Sequence, residues 1–163
     1  MTDLEFENTV RCYSDMLYRI AFNYLKSEED SEDALQNSLI RLYRYQKGFK
    51  SEEHIKAWLI RVTINESKRI LSQNRKRAVV DIEAVADQLY VDEIEKRDFS
   101  IELMKMNPIY STVLCLYYFE GYRAKEIAVL LSKTTAAVNL ILSRARKQLK
   151  KHLQEDNNDG KNR

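Results

Sequence analysis

The chain has 163 residues, with 27 Lys or Arg against 25 Asp or Glu, so its formal net charge is only +2. This length suits one or two domains with a substantial core, and the scarcity of Gly (three) and Pro (one) favours mostly helical structure. No apolar run approaches the ~18–20 residues that cross a bilayer, and the first residues lack a signal segment, so we expect a cytoplasmic protein.

The N-terminal part of the chain predicts two helices. Thr2 and Glu5 have the spacing of a capping box, and the amphipathic run that follows ends near Lys26. Ser27, followed by three acidic residues, predicts the start of a second helix, which we expect Gly48 to end. The apolar face predicted for this second helix consists of Leu35, Leu39, Leu42 and Tyr43.

A third helix is predicted from Ser51 into the basic cluster 75–77, with Ile55, Trp58, Leu59, Val62 and Ile70 as its apolar positions. Three helices that share a core make a first domain of residues 1–77. Residues 78–106 are acidic with scattered apolar residues, which indicates a linker with some local helix.

The C-terminal part predicts a second helical domain over residues 107–153. Asn107 and Pro108 are typical of a helix start, and Gly121 is placed to end that helix. A short helix, a break at 132–134 and a longer helix follow. The apolar positions of the longer helix fall on one face and are Val138, Leu142, Ala145, Leu149 and Leu153. Residues 154–163 are predicted to form a frayed polar tail.

Charge is strongly segregated along the chain. Residues 1–33 contain three basic and nine acidic residues, a net of −6, and residues 34–77 contain eleven and three, a net of +8. The acidic stretch 78–102 is again −6, from two basic and eight acidic residues, and 103–153 is +7, from nine and two. Single charged runs usually solvate helix faces, but two basic blocks separated by an acidic one indicate polyanionic partners.

The short helix, break and longer helix near the C-terminus are typical of a helix-turn-helix, whose second helix enters the DNA major groove. Thr134, Thr135, Asn139 and Ser143 are predicted to point outward. Arg144 and Lys147 follow on the same helix and could contact phosphates. Two helices with a short turn also occur in ordinary bundles, so the pattern alone does not exclude a plain helical hairpin.

Aromatic and basic residues alternate between positions 41 and 61, which is typical of surfaces that stack unpaired bases while cations follow the backbone. The alternative is that Trp58 and Tyr43 are core residues and the cations solvate the exterior. For Trp58, whose neighbours at helical spacing are apolar, the core interpretation is the stronger one. The polar, basic stretch from Tyr45 to Lys56 is the better candidate for binding.

Catalytic chemistry has little support in the sequence. His54 and His152 lie far apart with no ligand-spaced partners, and the chain has no phosphate-binding glycine motif. Cys12 and Cys115 are expected to be small buried residues rather than a disulfide. We therefore expect no enzyme activity, metal, cofactor or small-molecule substrate.

Four ordered segments carry a family resemblance. Residues 30–43 read DSEDALQNSLIRLY and 57–65 read AWLIRVTIN, followed by a basic end. Residues 117–121 read YYFEG, with EIA at 126–128, and 143–149 read SRARKQL. From about residue 16 to 153, the chain resembles the extracytoplasmic-function, or group four, sigma factors of bacterial RNA polymerase. This resemblance implies an all-α protein of two small domains, sigma region 2 and region 4, joined by a linker.

The resemblance also implies a role for each domain. The first would bind the clamp helices of core RNA polymerase through Asp33, Gln36, Asn37 and Arg41. It would hold the unpaired strand of the minus-ten promoter element through Lys47, Phe49, Lys50, Lys56, Arg61, Asn65, Lys68 and Arg69. The second would bind the duplex minus-thirty-five element through Lys133, Thr134, Thr135, Asn139, Ser143, Arg144 and Lys147. The resemblance also implies an anti-sigma factor as a further partner.

Some positions depart from the family pattern. Asn37 replaces a usual Glu, Arg123 replaces a usual Ser or Thr cap, and Asn139 and Ile141 replace basic residues of the recognition helix. Asn139 could instead pair with adenine. The competing hypothesis is a helix-turn-helix regulator that binds DNA without polymerase, with the first domain serving dimerisation or effector binding.

Overall fold

The computed structural model describes residues 1–45, 47–78, 103 and 105–159, and this part of the chain contains six helices and no strand. The helices are α1 (Asp3–Leu25), α2 (Glu28–Arg44), α3 (Glu52–Ala78), α4 (Pro108–Leu114), α5 (Ala124–Leu130) and α6 (Thr135–Asp159). A π-helical segment, Cys115–Phe119, extends α4. The predicted all-α class is confirmed, whereas most of the predicted linker 78–106 lies outside the described residues.

The predicted helix starts are confirmed at atomic detail. The Thr2 hydroxyl accepts a hydrogen bond from the Glu5 amide at 3.2 Å, and the Glu5 carboxylate accepts one from the Thr2 amide at 2.7 Å. Ser27 accepts from the amide three residues on, at 3.3 Å, and the Asn107 side chain accepts from the Ile109 amide at 3.1 Å. These side chains satisfy amides that have no partner within the helix.

The helix ends agree less closely with prediction. Helix α2 ends at Arg44 rather than at Gly48, because Tyr45 takes an extended conformation and stacks on Phe49 with ring centroids 4.7 Å apart. Gly121 follows the extension of α4 with a φ of +73°, as expected for a residue that ends a helix. Helix α6 continues to Asp159, into the segment predicted to be a polar tail.

Helices α1, α2 and α3 pack against one another around Leu17, Ile20, Leu42, Leu59 and Ile64, all of which are buried. The predicted inward position of Tyr43 is wrong, since its side chain is 64% exposed. Small buried residues join Leu42 in the contact of α2 with its neighbours. They are Ser31, Ala34 and Ser38.

One residue at the end of α1 has an unfavourable conformation and environment. Lys26 has a φ of +57°, in the left-handed region, and its side chain is half-buried. Burial lowers the pKa of its ammonium to about 8. We expect Lys26→Gly to raise the free energy of unfolding by about 1 kcal/mol, because glycine adopts this conformation without steric cost.

Urea unfolding would measure the change, with Lys26→Ala as the control that removes the ammonium but keeps the strained backbone. Since the pKa is lower in the folded state, the unfolded state binds more protons between pH 8 and 10.5. Wild-type stability should therefore rise with pH across that window, relative to either variant. A Lys26→Gly protein no more stable than Lys26→Ala would contradict the strain argument.

Candidate nucleic-acid interface

Helices α5 and α6 form a helix-turn-helix. Their axes meet at 109°, within the range of about 90–120° typical of this motif. Ser132 gives the turn its sharp bend with a φ of +53°, and the Lys133 amide donates to the Ala128 carbonyl at 2.8 Å. Ile127, Val138 and Leu142 hold the two helices together in the core. Residues 133–136, at the leading end of α6, are exposed to solvent.

All seven residues predicted for the minus-thirty-five element are exposed on the turn and on α6. They are Lys133, Thr134, Thr135, Asn139, Ser143, Arg144 and Lys147. Their alternation with the buried Val138 and Leu142 gives α6 one face toward the core and one toward solvent, as predicted. The Thr134 hydroxyl also accepts a hydrogen bond from the Ala137 amide at 3.1 Å, so this residue caps the helix.

The structure shows what takes the place of the usual residues at two of the three departures from the family pattern in this motif, Arg123 and Asn139. The Arg123 side chain makes no capping hydrogen bond, but its amide donates to the Glu126 carboxylate at 2.8 Å, which supplies half of a capping box. Asn139 is exposed beside Leu140, whose side chain is 49% exposed. Near the turn, the outer face of α6 therefore presents the amide of Asn139 and the apolar side chain of Leu140. The cations of this face, Arg144 and Lys147, lie further along the helix.

The loop between α2 and α3 is built around an aromatic cluster of Tyr45, Phe49, His54 and Trp58. The Trp58 ring lies 5.0 Å from Tyr45 and 5.5 Å from Phe49, measured between centroids. Trp58 is half-buried and packs against the core, so it fits neither the purely buried nor the purely exposed alternative. His54 was not predicted to be part of this cluster, although its place four residues before Trp58 on α3 was the available signal.

Hydrogen bonds fix this loop at its far end. Ser51 accepts from the His54 amide at 3.2 Å, and the Lys50 amide donates to His54 Nδ1 at 3.3 Å. Lys47 and Lys50 are exposed, while Phe49 is half-buried in the aromatic cluster. The loop thus presents cations beside a preformed aromatic surface, which is the combination that binds unpaired nucleotides.

The predicted minus-ten residues on α3 do not all share one face. Arg61, Asn65 and Lys68 recur at steps of four and three residues and form one stripe, of which Lys68 is half-buried. Lys56 lies on another face, with its ammonium 5.3 Å from the centroid of the Tyr122 ring in the second domain. The structure therefore brings Arg61, Asn65 and Lys68 together and turns Lys56 away from them.

The four residues predicted to bind polymerase lie on α2. Three of them are exposed, namely Asp33, Gln36 and Arg41, and Asn37 beside them is half-buried. Their spacing places all four along one side of the helix. The ring edge of Tyr43 meets Phe6 of α1, with centroids 5.3 Å apart, so exposed apolar groups adjoin this polar row.

A buried carboxylate that the sequence analysis missed lies beneath this row. The Glu66 side chain is 4% exposed and is paired with both Arg41 of α2 and Arg69 of α3. The spacing of Glu66 and Arg69, three residues apart on one helix, was a signal for the second pair. Nothing in the sequence pointed to the first, which joins two helices.

The two domains lie directly against each other in this structure. Arg19 of α1 pairs with Glu120 at 3.0 Å, and the Ser111 hydroxyl donates to the Asn23 carbonyl at 2.6 Å. The apolar core is continuous from α1 to α6 and includes Leu103 and Met106, which precede the predicted second domain.

This packing brings cations of the two candidate DNA surfaces together. Burial and then the positive charge of Lys133 lower the pKa of Lys68. Lys68 lies on the α3 stripe and Lys133 on the turn before α6. The proximity of these two cations is an electrostatic cost of the closed arrangement, which burial of the shared core offsets.

Within the described residues, no group of three or more His, Cys, Asp or Glu side chains could hold a metal ion. Both cysteines are free thiols. Cys115 is buried, and burial raises its pKa to about 12, whereas Cys12 is exposed, so the expectation of a buried Cys12 is wrong. No single helix of the described chain is long and apolar enough to cross a membrane, although α5 and α6 meet that test when joined across their bend.

Two family profiles match the chain. Residues 9–77 match sigma-70 region 2, and residues 102–149 match sigma-70 region 4. The chain is 26% identical to RNA polymerase sigma factor SigV of Bacillus subtilis, an alignment that covers 90% of this chain and 92% of SigV. It is 30% identical to an RNA polymerase sigma-E factor of Streptomyces antibioticus, with 93% of this chain and 86% of that protein covered.

A solved structure shares the fold. The sigma factor RpoE of Bartonella quintana, crystallised with the anti-sigma factor NepR, superposes with a TM-score of 0.71 at 21% identity. The superposition covers 92% of this chain and 97% of that one.

Proposed function

The chain belongs to the extracytoplasmic-function group of the sigma-70 family, and we propose that its two domains divide promoter recognition between an unpaired and a paired DNA element. It is an RNA polymerase sigma factor, with core RNA polymerase and promoter DNA as its partners. The alternative of a regulator that acts without polymerase is not favoured, since the first domain matches sigma-70 region 2 over residues 9–77.

One observation supports the assignment of a different DNA element to each domain. The chain has two exposed basic surfaces, and the two are built differently. One is a loop of cations around stacked aromatic rings, and the other is the exposed turn and second helix of a helix-turn-helix. The first kind of surface suits bases out of their stack, and the second fits the major groove of a closed duplex.

We assign the minus-ten element to the loop and the α3 stripe. In this proposal Phe49 and its aromatic neighbours receive an unpaired base, and the exposed cations follow the backbone of the strand. The residues concerned are Lys47, Phe49, Lys50, Arg61, Asn65, Lys68 and Arg69. Lys56 joins them only when the second domain, which contains Tyr122, moves away from the first.

We assign the minus-thirty-five element to the turn and α6. Thr134, Thr135 and Asn139 lie nearest the leading end, where side chains of a recognition helix meet base edges. Lys133, Arg144 and Lys147 are placed to contact phosphates, which fix the position of the helix without selecting sequence.

The polymerase surface is assigned to Asp33, Gln36, Asn37 and Arg41 on α2. In this account the chain supplies promoter specificity to the polymerase, acts in the cytoplasm and catalyses no reaction itself. An anti-sigma factor is a further proposed partner, because the solved relative RpoE was crystallised with one.

Run-off transcription with purified core polymerase on genomic DNA fragments tests the proposal. The expected result is a set of discrete transcripts that require both the chain and the core enzyme. Tight, specific duplex binding by the chain alone in moderate salt, with no transcripts in its presence, would instead support a regulator.

Asn139→Ala should change base preference within the minus-thirty-five element only. A side-chain amide that pairs with one base contributes about 1–3 kcal/mol of discrimination, so preference at that position should fall by about 5- to 150-fold. Transcription from promoter libraries randomised in each element measures the effect. Lys147→Ala is the control, since loss of a phosphate contact should weaken all sequences equally. An equal response of both elements to Asn139→Ala would contradict the assignment of α6.

A further inference from the structure

Glu66 is the one buried carboxylate that joins α2 to α3 among the described residues. Its Oε1 contacts the Arg41 guanidinium, and its Oε2 accepts from Nε of Arg69 at 3.0 Å and lies 2.9 Å from Nη2. Each carboxylate oxygen thus has its own arginine. Burying a lone carboxylate is costly, and two charged partners compensate for it.

Both arginines keep a large part of their side chains at the surface. Arg41 is 57% exposed and Arg69 is 45% exposed, in contrast to the 4% of Glu66. The Glu66 contact engages Nη2 at one end of the Arg41 fork, and more than half of this side chain stays exposed, where a partner can reach it. Arg69 is more fully committed, because its Nη1 donates to Gln73 at 3.1 Å.

From this geometry we propose that Glu66 is a positioning residue, which fixes the Arg41 guanidinium on the polymerase-facing side of α2 and anchors it to the DNA-facing helix α3. The inference rests on the proposed function of these surfaces. An arginine held in one orientation loses less conformational freedom on binding than a free one. Glu66 therefore makes polymerase binding tighter without contacting polymerase.

The test is a comparison of core-polymerase affinity for the full chain and its variants. Glu66→Gln keeps the size of the side chain but removes the charge that holds Arg41. We expect the affinity to fall by about 3- to 10-fold, the amount associated with ordering one long side chain. In an Arg41→Ala background, Glu66→Gln should cause no further loss, because its effect passes through Arg41.

Thr63→Val provides the matched control for stability. Thr63 is also buried between α2 and α3, where its hydroxyl donates to Ser38 at 3.1 Å, and it contacts neither arginine in the hydrogen bonds of this interface. We expect Thr63→Val to lower the free energy of unfolding while leaving core affinity unchanged. If Glu66→Gln does not fold, as judged by circular dichroism, Glu66→Asp replaces it, since the shorter carboxylate withdraws from Arg41 while the charge is kept.

The outcomes separate this inference from the proposed function. A loss that disappears in the Arg41→Ala background supports the positioning role. Unchanged or tighter binding by Glu66→Gln, losses that add to those of Arg41→Ala, or an Arg41→Ala protein with full affinity would each overturn it. A wild-type chain that fails to bind core polymerase would overturn the proposed function itself.

Discussion

Replacing Gln36 and Arg41 together by alanine is expected to weaken binding to core RNA polymerase by about 60- to 700-fold. Hydrogen bonds to charged groups contribute about 1.5–3 kcal/mol and neutral ones about 1 kcal/mol, and both side chains lie exposed on one side of α2. Fluorescence anisotropy of the labelled chain, titrated with core enzyme, measures the change. The helix content should stay constant, because both side chains are exposed and Glu66 keeps its pair with Arg69 when Arg41 is removed.

Two further variants sharpen this result. Arg41→Lys keeps the positive charge but loses the planar fork, so it should recover only part of the lost affinity. Arg11→Ala removes an exposed arginine from α1 and serves as the control for a general loss of charge. Equal affinities for wild type and the double alanine variant would show that polymerase binds elsewhere.

Locking the two domains in their closed arrangement should abolish promoter-dependent transcription. The minus-ten and minus-thirty-five elements lie about two helical turns apart, each turn measuring ~34–36 Å. In the structure, Lys68 and Lys133 are close enough for the charge of one to lower the pKa of the other. If these surfaces hold the two elements, as proposed, they must lie farther apart than in this structure, so we expect the domains to separate on promoter binding.

The lock uses Arg19 and Glu120, whose side chains meet at 3.0 Å across the domain boundary. Both are changed to cysteine in a Cys12→Ser background, which removes the exposed natural thiol, and they are joined by a short bis-maleimide with a cleavable disulfide. We expect an almost complete loss of transcription that reduction of the linker reverses. The same protein with each thiol capped singly is the control. Transcription by the locked form at the control level would contradict the need for separation.

Local features of the fold were accessible from sequence because they depend on residues three or four positions apart. Thr2 with Glu5, Ser27, and Asn107 with Pro108 all form the predicted helix starts. The inward and outward faces of α6 were equally accessible, because a helix repeats its environment about every 3.6 residues.

Features that depend on distant residues were not accessible. Tyr43 has the right spacing for a core position, but α2 turns it toward Phe6 at the surface. The pair of Arg41 with Glu66 and that of Arg19 with Glu120 join residues far apart in the chain. Helical periodicity determines which residues share a face, and it leaves open which helix that face meets.

The same distinction between local features and those that depend on distant residues applies to the candidate site. Its exposed cations on α6 could be named from sequence, since spacing alone placed them opposite the apolar face. The aromatic cluster of the α2–α3 loop could not be assembled in advance, because Tyr45 leaves the helix to stack on Phe49 and Trp58. The orientation of Lys56 toward Tyr122 could not be predicted either, because it depends on the packing of the second domain.

Site-specific photocrosslinking in the complete complex of chain, core polymerase and promoter DNA tests the central claim most directly. A photoreactive residue replaces Lys50 in the loop in one protein and Asn139 on α6 in another. We expect the probe at position 50 to attach to the unpaired non-template strand of the minus-ten element. We expect the probe at position 139 to attach to the duplex about two helical turns upstream. Attachment of both probes to the same element, or of the loop probe to fully paired DNA alone, would contradict the central claim.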